Sequence, residues 1–264
     1  MGGLLGKTLR DQKRPMIGWG IGIAAMAAMY VSFFPTIRNS AASLDKYLQS
    51  LPDAVKQLLG DQAFSSPAGY LRSEIFSILG PIVFLVFVIG SGARAIAGEE
   101  EAGTLDLLLS TPIRRRQVVF DKAAALFAAT TGLALILWVT ISALSPATGL
   151  KIPASDVAAA CLMLLLVGVT FGSISLAIGC VTGRRALALG ITSGFAGFAY
   201  VVNVLAPVVR VLRPLRPLSP FRWYLEPDPL VNGVHLSGVL VLVGISMFAL
   251  AVAFIGFERR DLAA

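Results

Sequence analysis

The sequence predicts an all-α integral membrane protein with six transmembrane helices, both termini in the cytoplasm and a short amphipathic cytoplasmic helix between spans 2 and 3. Two observations carry that prediction. Of the 264 residues, 14% are charged and 56% hydrophobic, with mean hydropathy +0.79, whereas a soluble domain carries about 25% charged residues. The second observation is six apolar runs near the length of about 20 residues that a spanning helix requires. They cover roughly 16–34, 75–97, 120–144, 156–181, 185–206 and 236–257. Together they define one transmembrane domain over 1–264.

The first run follows Lys7, Arg10, Lys13 and Arg14. It is longer than the apolar core of a signal sequence, about 7–15 residues, so it reads as a retained anchor. Beyond it, LDKYLQSLPDAVKQLL (44–59) places Leu44, Tyr47, Leu48, Leu51, Val55, Leu58 and Leu59 near helical spacing. That is an amphipathic helix lying on the bilayer or capping the bundle, with Pro52 kinking it or starting a second piece. Spans 4 and 5 form the tightest hairpin, turned by Gly183, Arg184 and Arg185. Between spans 5 and 6, Pro207, Pro214, Pro217, Pro220, Pro227 and Pro229 exclude one continuous helix and predict short surface or re-entrant pieces.

Orientation follows the positive charges. With the N-terminus inside, 13 lysines and arginines lie on the cytoplasmic side against 9 outside, and the inner segments are the shorter. The chain is thus expected to be multi-pass in the plasma (cell inner) membrane, with the lipid bilayer its first partner.

Several functions are disfavoured. The net charge of +7 is spread in clusters flanking apolar runs, with no nucleic-acid motif. Cys161 and Cys180 fall on one helix, 19 residues and roughly 28 Å apart, too far to bridge. The single histidine, His235, has no metal-ligand cluster around it. GGLLGKT (Gly2 to Thr8) imitates a phosphate-binding loop but is one residue short and follows no strand. Gly172-Ser173-Ile174-Ser175 has no histidine base in the same spans. No catalytic, cofactor or metal residues are therefore assigned. Charged side chains cluster at the span ends (Glu74, Arg94, Asp121, Lys122, Asp156, Glu258), leaving hydroxyls such as Thr130, Thr170 and Ser175 in the interiors. Such hydroxyls serve helix–helix hydrogen bonds more often than ligands, and an ion-coupled carrier needs titratable groups there. Energy for transport must come from outside the chain.

One loop stands out, GEEEAGTLDLLLSTPIRRRQ (98–117). Gly98 is expected to end span 2, and Glu99, Glu100 and Glu101 to open a new helix whose dipole favours them. Leu105, Leu108 and Leu109 give an apolar stripe, Pro112 stops the helix, and Arg114, Arg115, Arg116 and Lys122 face inner-leaflet phosphates. The residues alone fit two readings equally: a solvated elbow, or a docking helix for a cytosolic partner.

The run from Arg94 through Gly98-Glu-Glu-Glu-x-Gly-Thr-Leu, Pro112 and Arg115 to Lys122 resembles the cytoplasmic segment between spans 2 and 3 of ABC-2 type transporter permeases. Ser219 to Tyr224 (SPFRWY) looks like that family's outer loop; the arginine triplet is denser than its usual basic pair. The resemblance implies the permease subunit of an ATP-driven exporter working by alternating access. It would pair with a second permease copy or a homologous permease and bind two ABC ATPase (nucleotide-binding) subunits, which hold the ATP and Mg. It also implies that 99–111 is the coupling helix, with Glu99, Glu100, Glu101, Gly103, Thr104, Leu105, Leu108, Leu109 and Pro112 as the coupling residues. A helix over 3–14 would lie along the membrane beside it, and spans 2 and 5 would line the path. Gly190, Gly194 and Gly197 then allow close helix approach, between subunits or within one. The rival reading is a membrane scaffold or sensor that docks a cytosolic partner and transports nothing.

Overall fold

The computed structural model describes the backbone of residues 3–49, 66–104 and 114–260, and the side chains of 15–38, 66–104 and 114–260. Among them six helices are long and apolar enough to cross a membrane, and no strand occurs. They are α1 (Gly3–Gln49), α2 (Pro67–Glu101), α3 (Arg115–Thr148), α4 (Ala154–Thr182), α5 (Arg185–Leu205) and α8 (Leu236–Arg259). Between α5 and α8 lie a 3-10 helix (Arg210–Leu218) and the short α6 (Pro220–Leu225) and α7 (Pro229–Asn232). Every spanning run of the sequence thus recurs as a helix, most of them longer than the run.

α4 is the hub. Of its most apolar window 72% is buried, against 28% in α1 and α8, and it packs on α2, α3, α5 and α8. Small residues set the distances. A Cβ on Gly92 of α2 would stand 2.5 Å from the Gly172 carbonyl oxygen of α4, so the two backbones meet directly. Ser175 Oγ donates to the Ile89 carbonyl of α2 at 2.9 Å, and Thr170 Oγ1 lies 3.1 Å from Ser246 Oγ of α8. These hydroxyls join helices, as their type predicts. α1 lies outside α3, with Trp19 edge-on to Phe87 of α2 at 5.8 Å.

One expectation is corrected, and a second is described only in part. The 3–14 stretch is not a separate helix, because α1 runs unbroken through Pro15 and Pro35 to Gln49. Each proline removes one backbone donor, a loss that long membrane helices tolerate. Of the amphipathic 44–59 stretch, 44–49 continues α1 and 50–59 falls outside the described residues. α2 is not uniform either. It passes through π-helical turns at Arg72–Leu79 and Arg94–Gly98 around a regular Gly80–Ala93 core.

At the end of the bundle where α5 and α8 are joined, the proline-rich chain folds back onto the spans. Phe221 and Tyr224 are buried. The Tyr224 hydroxyl donates to the Phe76 carbonyl of the first π-turn at 2.7 Å, and burial holds its pKa well above the ordinary phenol value. Asp228, 4% exposed in its side chain, pairs with Arg72 at 3.1 Å and accepts from the Leu230 N–H at 3.0 Å, capping α7. α2, α4, α5 and α8 are tied together at this end.

Candidate functional site

The opposite end carries the acidic loop. Glu99–Glu101 forms the last turn of α2 rather than the first turn of a new helix, and Gly98 does not end that helix. The stop lies at Gly103, at φ +67°. The Gly103 N–H donates to the Glu100 carbonyl and the Thr104 N–H to the Glu99 carbonyl, both at 2.9 Å. This is a Schellman cap, with glycine at the left-handed position. Thr104 Oγ1 also donates to the Glu99 carbonyl at 3.1 Å. The Gly-Thr pair of the motif is therefore a helix terminator.

The correction reverses the electrostatics. Three carboxylates now stand at the negative end of their own helix, which disfavours them. Each is compensated from a different element. Glu99 pairs with Lys122 of α3, whose side chain is 7% exposed. Glu100 pairs with Arg260, just beyond α8. Glu101 accepts the Arg185 backbone N–H at 2.8 Å, so it caps the N-terminus of α5. The dipole argument made for a helix starting at Glu99 thus applies to Glu101 alone, and to another helix.

Arg260 is the residue the sequence reading missed. Besides holding Glu100, it donates through Nη1 to the Cys180 carbonyl at 3.1 Å, at the C-terminal end of α4. Its own carbonyl accepts from Arg115 Nη1 at 2.8 Å. Gly183, at φ +65°, leaves the space its guanidinium occupies. The signal available was only a basic pair after the last span. Arg116 adds a pair to Glu258 of α8, closing at 2.9 Å through Nη2. That pair is open to water and worth little by itself.

The result is a polar ring that brings Glu99, Glu100, Glu101, Arg115, Arg116 and Lys122 together with Arg185, Glu258 and Arg260. Arg114 is exposed at the start of α3, and Arg94 donates to the Gly90 carbonyl at 3.0 Å. Leu105, Leu108, Leu109 and Pro112 lie outside the described residues. One oxygen each of Glu99, Glu100 and Asp121 is buried with no hydrogen-bond partner among the described residues. Among those residues, no group of histidine, cysteine and carboxylate side chains is arranged to hold a metal.

On α5 the buried stripe is Ala188, Thr192, Ala196 and Ala199, followed by Val202 and Asn203. A Cβ on Gly190, Gly194 or Gly197 would meet nothing within 4 Å, so these glycines do not pack within the described chain. Cys161 and Cys180 are both buried on α4.

No curated protein matches the chain. The family described as ABC-2 family transporter protein matches residues 4–262, nearly the whole sequence. With six apolar helices and a match over nearly its whole length, the chain belongs to the ABC-2 transporter family, as a multi-pass membrane component that is not itself catalytic.

Proposed function

We propose that this chain is the permease subunit of an ATP-driven exporter in the plasma membrane, with its ring end and both termini in the cytoplasm. Two separate ATPase subunits, which hold the ATP and Mg, dock on the segment that leaves α2 at Glu99–Thr104. Leu105, Leu108, Leu109 and Pro112 continue that docking segment, and Arg114 anchors it at the inner leaflet. The observation that carries this reading is the ring. The last turn of α2 is latched to α3, α5 and the end of α8, so a displacement of the following loop is delivered to four spans at once. Span interiors without carboxylate, histidine or basic side chains, as the sequence shows, suit mechanical rather than ion coupling. ATP binding does work only through the difference in affinity between the two arrangements of the spans.

A second permease, identical or homologous, completes the path. The open face of α5 around Gly190, Gly194 and Gly197 supports that pairing, since small residues let helix backbones approach closely in lipid. The test is purification of the tagged chain from native membranes in mild detergent, with identification of co-purified proteins and an ATP hydrolysis assay. A stoichiometric P-loop ATPase is the expected result. Recovery alone, or with a partner that is not an ATPase, would favour the scaffold reading. Alanine at Glu99, Glu100 and Glu101 together is expected to lower ATPase recovery, and an unchanged yield would remove the coupling role.

A further inference from the structure

The segment joining α5 to α6 presents a surface that transport by the spans does not account for. Arg210–Leu218 (RVLRPLRPL) is a 3-10 helix. Such a helix has about three residues per turn, so side chains three apart stand in a row. Arg210, Arg213 and Arg216 form one row, and Leu212, Leu215 and Leu218 another. Both are open. Leu218 is 72% and Leu215 38% exposed, and Arg210 and Arg213 are exposed as well.

The charges on the basic row are not equivalent. Arg216 is paired with Glu226, which also faces Arg222 at 3.6 Å. Arg213 donates to the Pro207 carbonyl at 3.1 Å. Neither Arg210 nor Arg213 has an ion pair among the described residues. Among the described residues, these two guanidinium charges face no carboxylate.

The depth of the helix identifies what that is. Ser219, immediately after it, donates through Oγ to the Ala199 carbonyl at 2.8 Å. Ala199 lies six residues before the end of α5 at Leu205, or about 9 Å along the helix axis. The leucine row therefore descends beside a spanning helix below its end, while the row's start remains at the α5 terminus. Trp223 marks the same boundary. Its indole N–H is tied to the Pro217 carbonyl at 2.8 Å, with the Arg222 guanidinium 5.4 Å from the ring centroid, and tryptophan is characteristic of the headgroup level.

We propose that the 3-10 helix is a lipid-binding element that seats Leu212, Leu215 and Leu218 among acyl chains and grips anionic phospholipid headgroups with Arg210 and Arg213, in the leaflet opposite the glutamate ring. A soluble polyanion would satisfy the arginines but leave the leucine row in water; only a bilayer surface covers both. Guanidinium groups suit this role because their donors match phosphate oxygens two at a time.

The test uses the purified full chain in phosphatidylcholine vesicles carrying spin-labelled phosphatidylglycerol or spin-labelled phosphatidylcholine. The fraction of each probe immobilised by the protein is compared. Wild type is expected to prefer the anionic probe by about fivefold, the effect of one basic side chain held at a membrane surface. The Arg210→Gln/Arg213→Gln variant should lose a measurable part of that preference, the remainder coming from basic residues such as Arg114 at the other leaflet, and Arg210→Lys/Arg213→Lys should keep more of it. Both pairs are exposed, so elution as wild type on size exclusion is expected as a check on folding. An unchanged preference in the glutamine variant would overturn the proposal. Polyphosphate binding to the detergent-solubilised protein through the same arginines, without lipid preference in vesicles, would identify a soluble polyanion and overturn it too.

Discussion

Glu100 and Arg260 stand 160 residues apart in sequence yet share one ion pair. Arg260 also closes the C-terminal end of α4, so removing it leaves both a half-buried carboxylate and a helix carbonyl uncompensated. Arg260→Glu or Glu100→Arg alone should lower stability by about 1–2 kcal/mol, a buried-pair cost reduced for partial exposure. The double exchange should recover the ion-pair part of the loss but not the bond to the Cys180 carbonyl, read as the melting temperature of the detergent-solubilised chain. Recovery of ATPase binding in the same double variant would separate an internal latch from direct contact of Glu100 with the ATPase, which no exchange within the permease repairs. Gly183→Ala should cost about 1 kcal/mol from its left-handed backbone alone, and more because its Cβ would meet the Arg260 guanidinium. Little of this was legible in the sequence. Glu99, Glu100 and Glu101 were singled out as functional, but a run of glutamates after a glycine fits a helix start as well as a helix end. The deciding feature, the backbone of Gly103, is conformational.

At the scale of the element, the spans were legible because lipid demands long apolar helices. Their ends were less so. α2 and α3 extend beyond their apolar runs, and there other spans supply partners for their polar residues. Glu99 with Lys122 does this for α2, and Arg115 with the Arg260 carbonyl for α3. Glycine pattern had the opposite fault: it marked close approach without saying which neighbour. The structure divides the cases. Gly92→Val should prevent α2 and α4 from closing, because its Cβ would already crowd the Gly172 carbonyl; little folded protein should be recovered after size exclusion. Gly194→Val has open space around it. It should leave the monomer intact and weaken self-association or pairing with another permease, measured by energy transfer between labelled chains in vesicles. A fully assembled Gly194→Val complex would show that α5 pairs through another face.

For the whole molecule, the two ends are fastened differently. One is held by a buried plug, with Tyr224 on Phe76, Phe221 5.5 Å from Phe171 between ring centroids, and Asp228, 4% exposed, on Arg72. The other is held mainly by charges, several of them partly exposed, and these weaken with ionic strength where they meet water. Raising salt should therefore loosen the ring end first, seen as faster backbone hydrogen exchange at 98–104 and 183–186 than at 220–225. Composition identified the membrane class and the loop motif the family, since both are local in sequence; the ring is assembled from four distant segments, and no local pattern announces it. Its three consecutive glutamates project at steps of roughly 100° around α2. Immediately before them lies the π-helical turn Arg94–Gly98, where the helix holds one residue more than a regular turn would. If that turn tightened into ordinary α-helix, the glutamates would index by about one step, offering two of the three carboxylates a neighbour's partner. The end of α2 would then behave as a detented shaft: it rests at discrete angles set by the spacing of residues, and resists stopping between them.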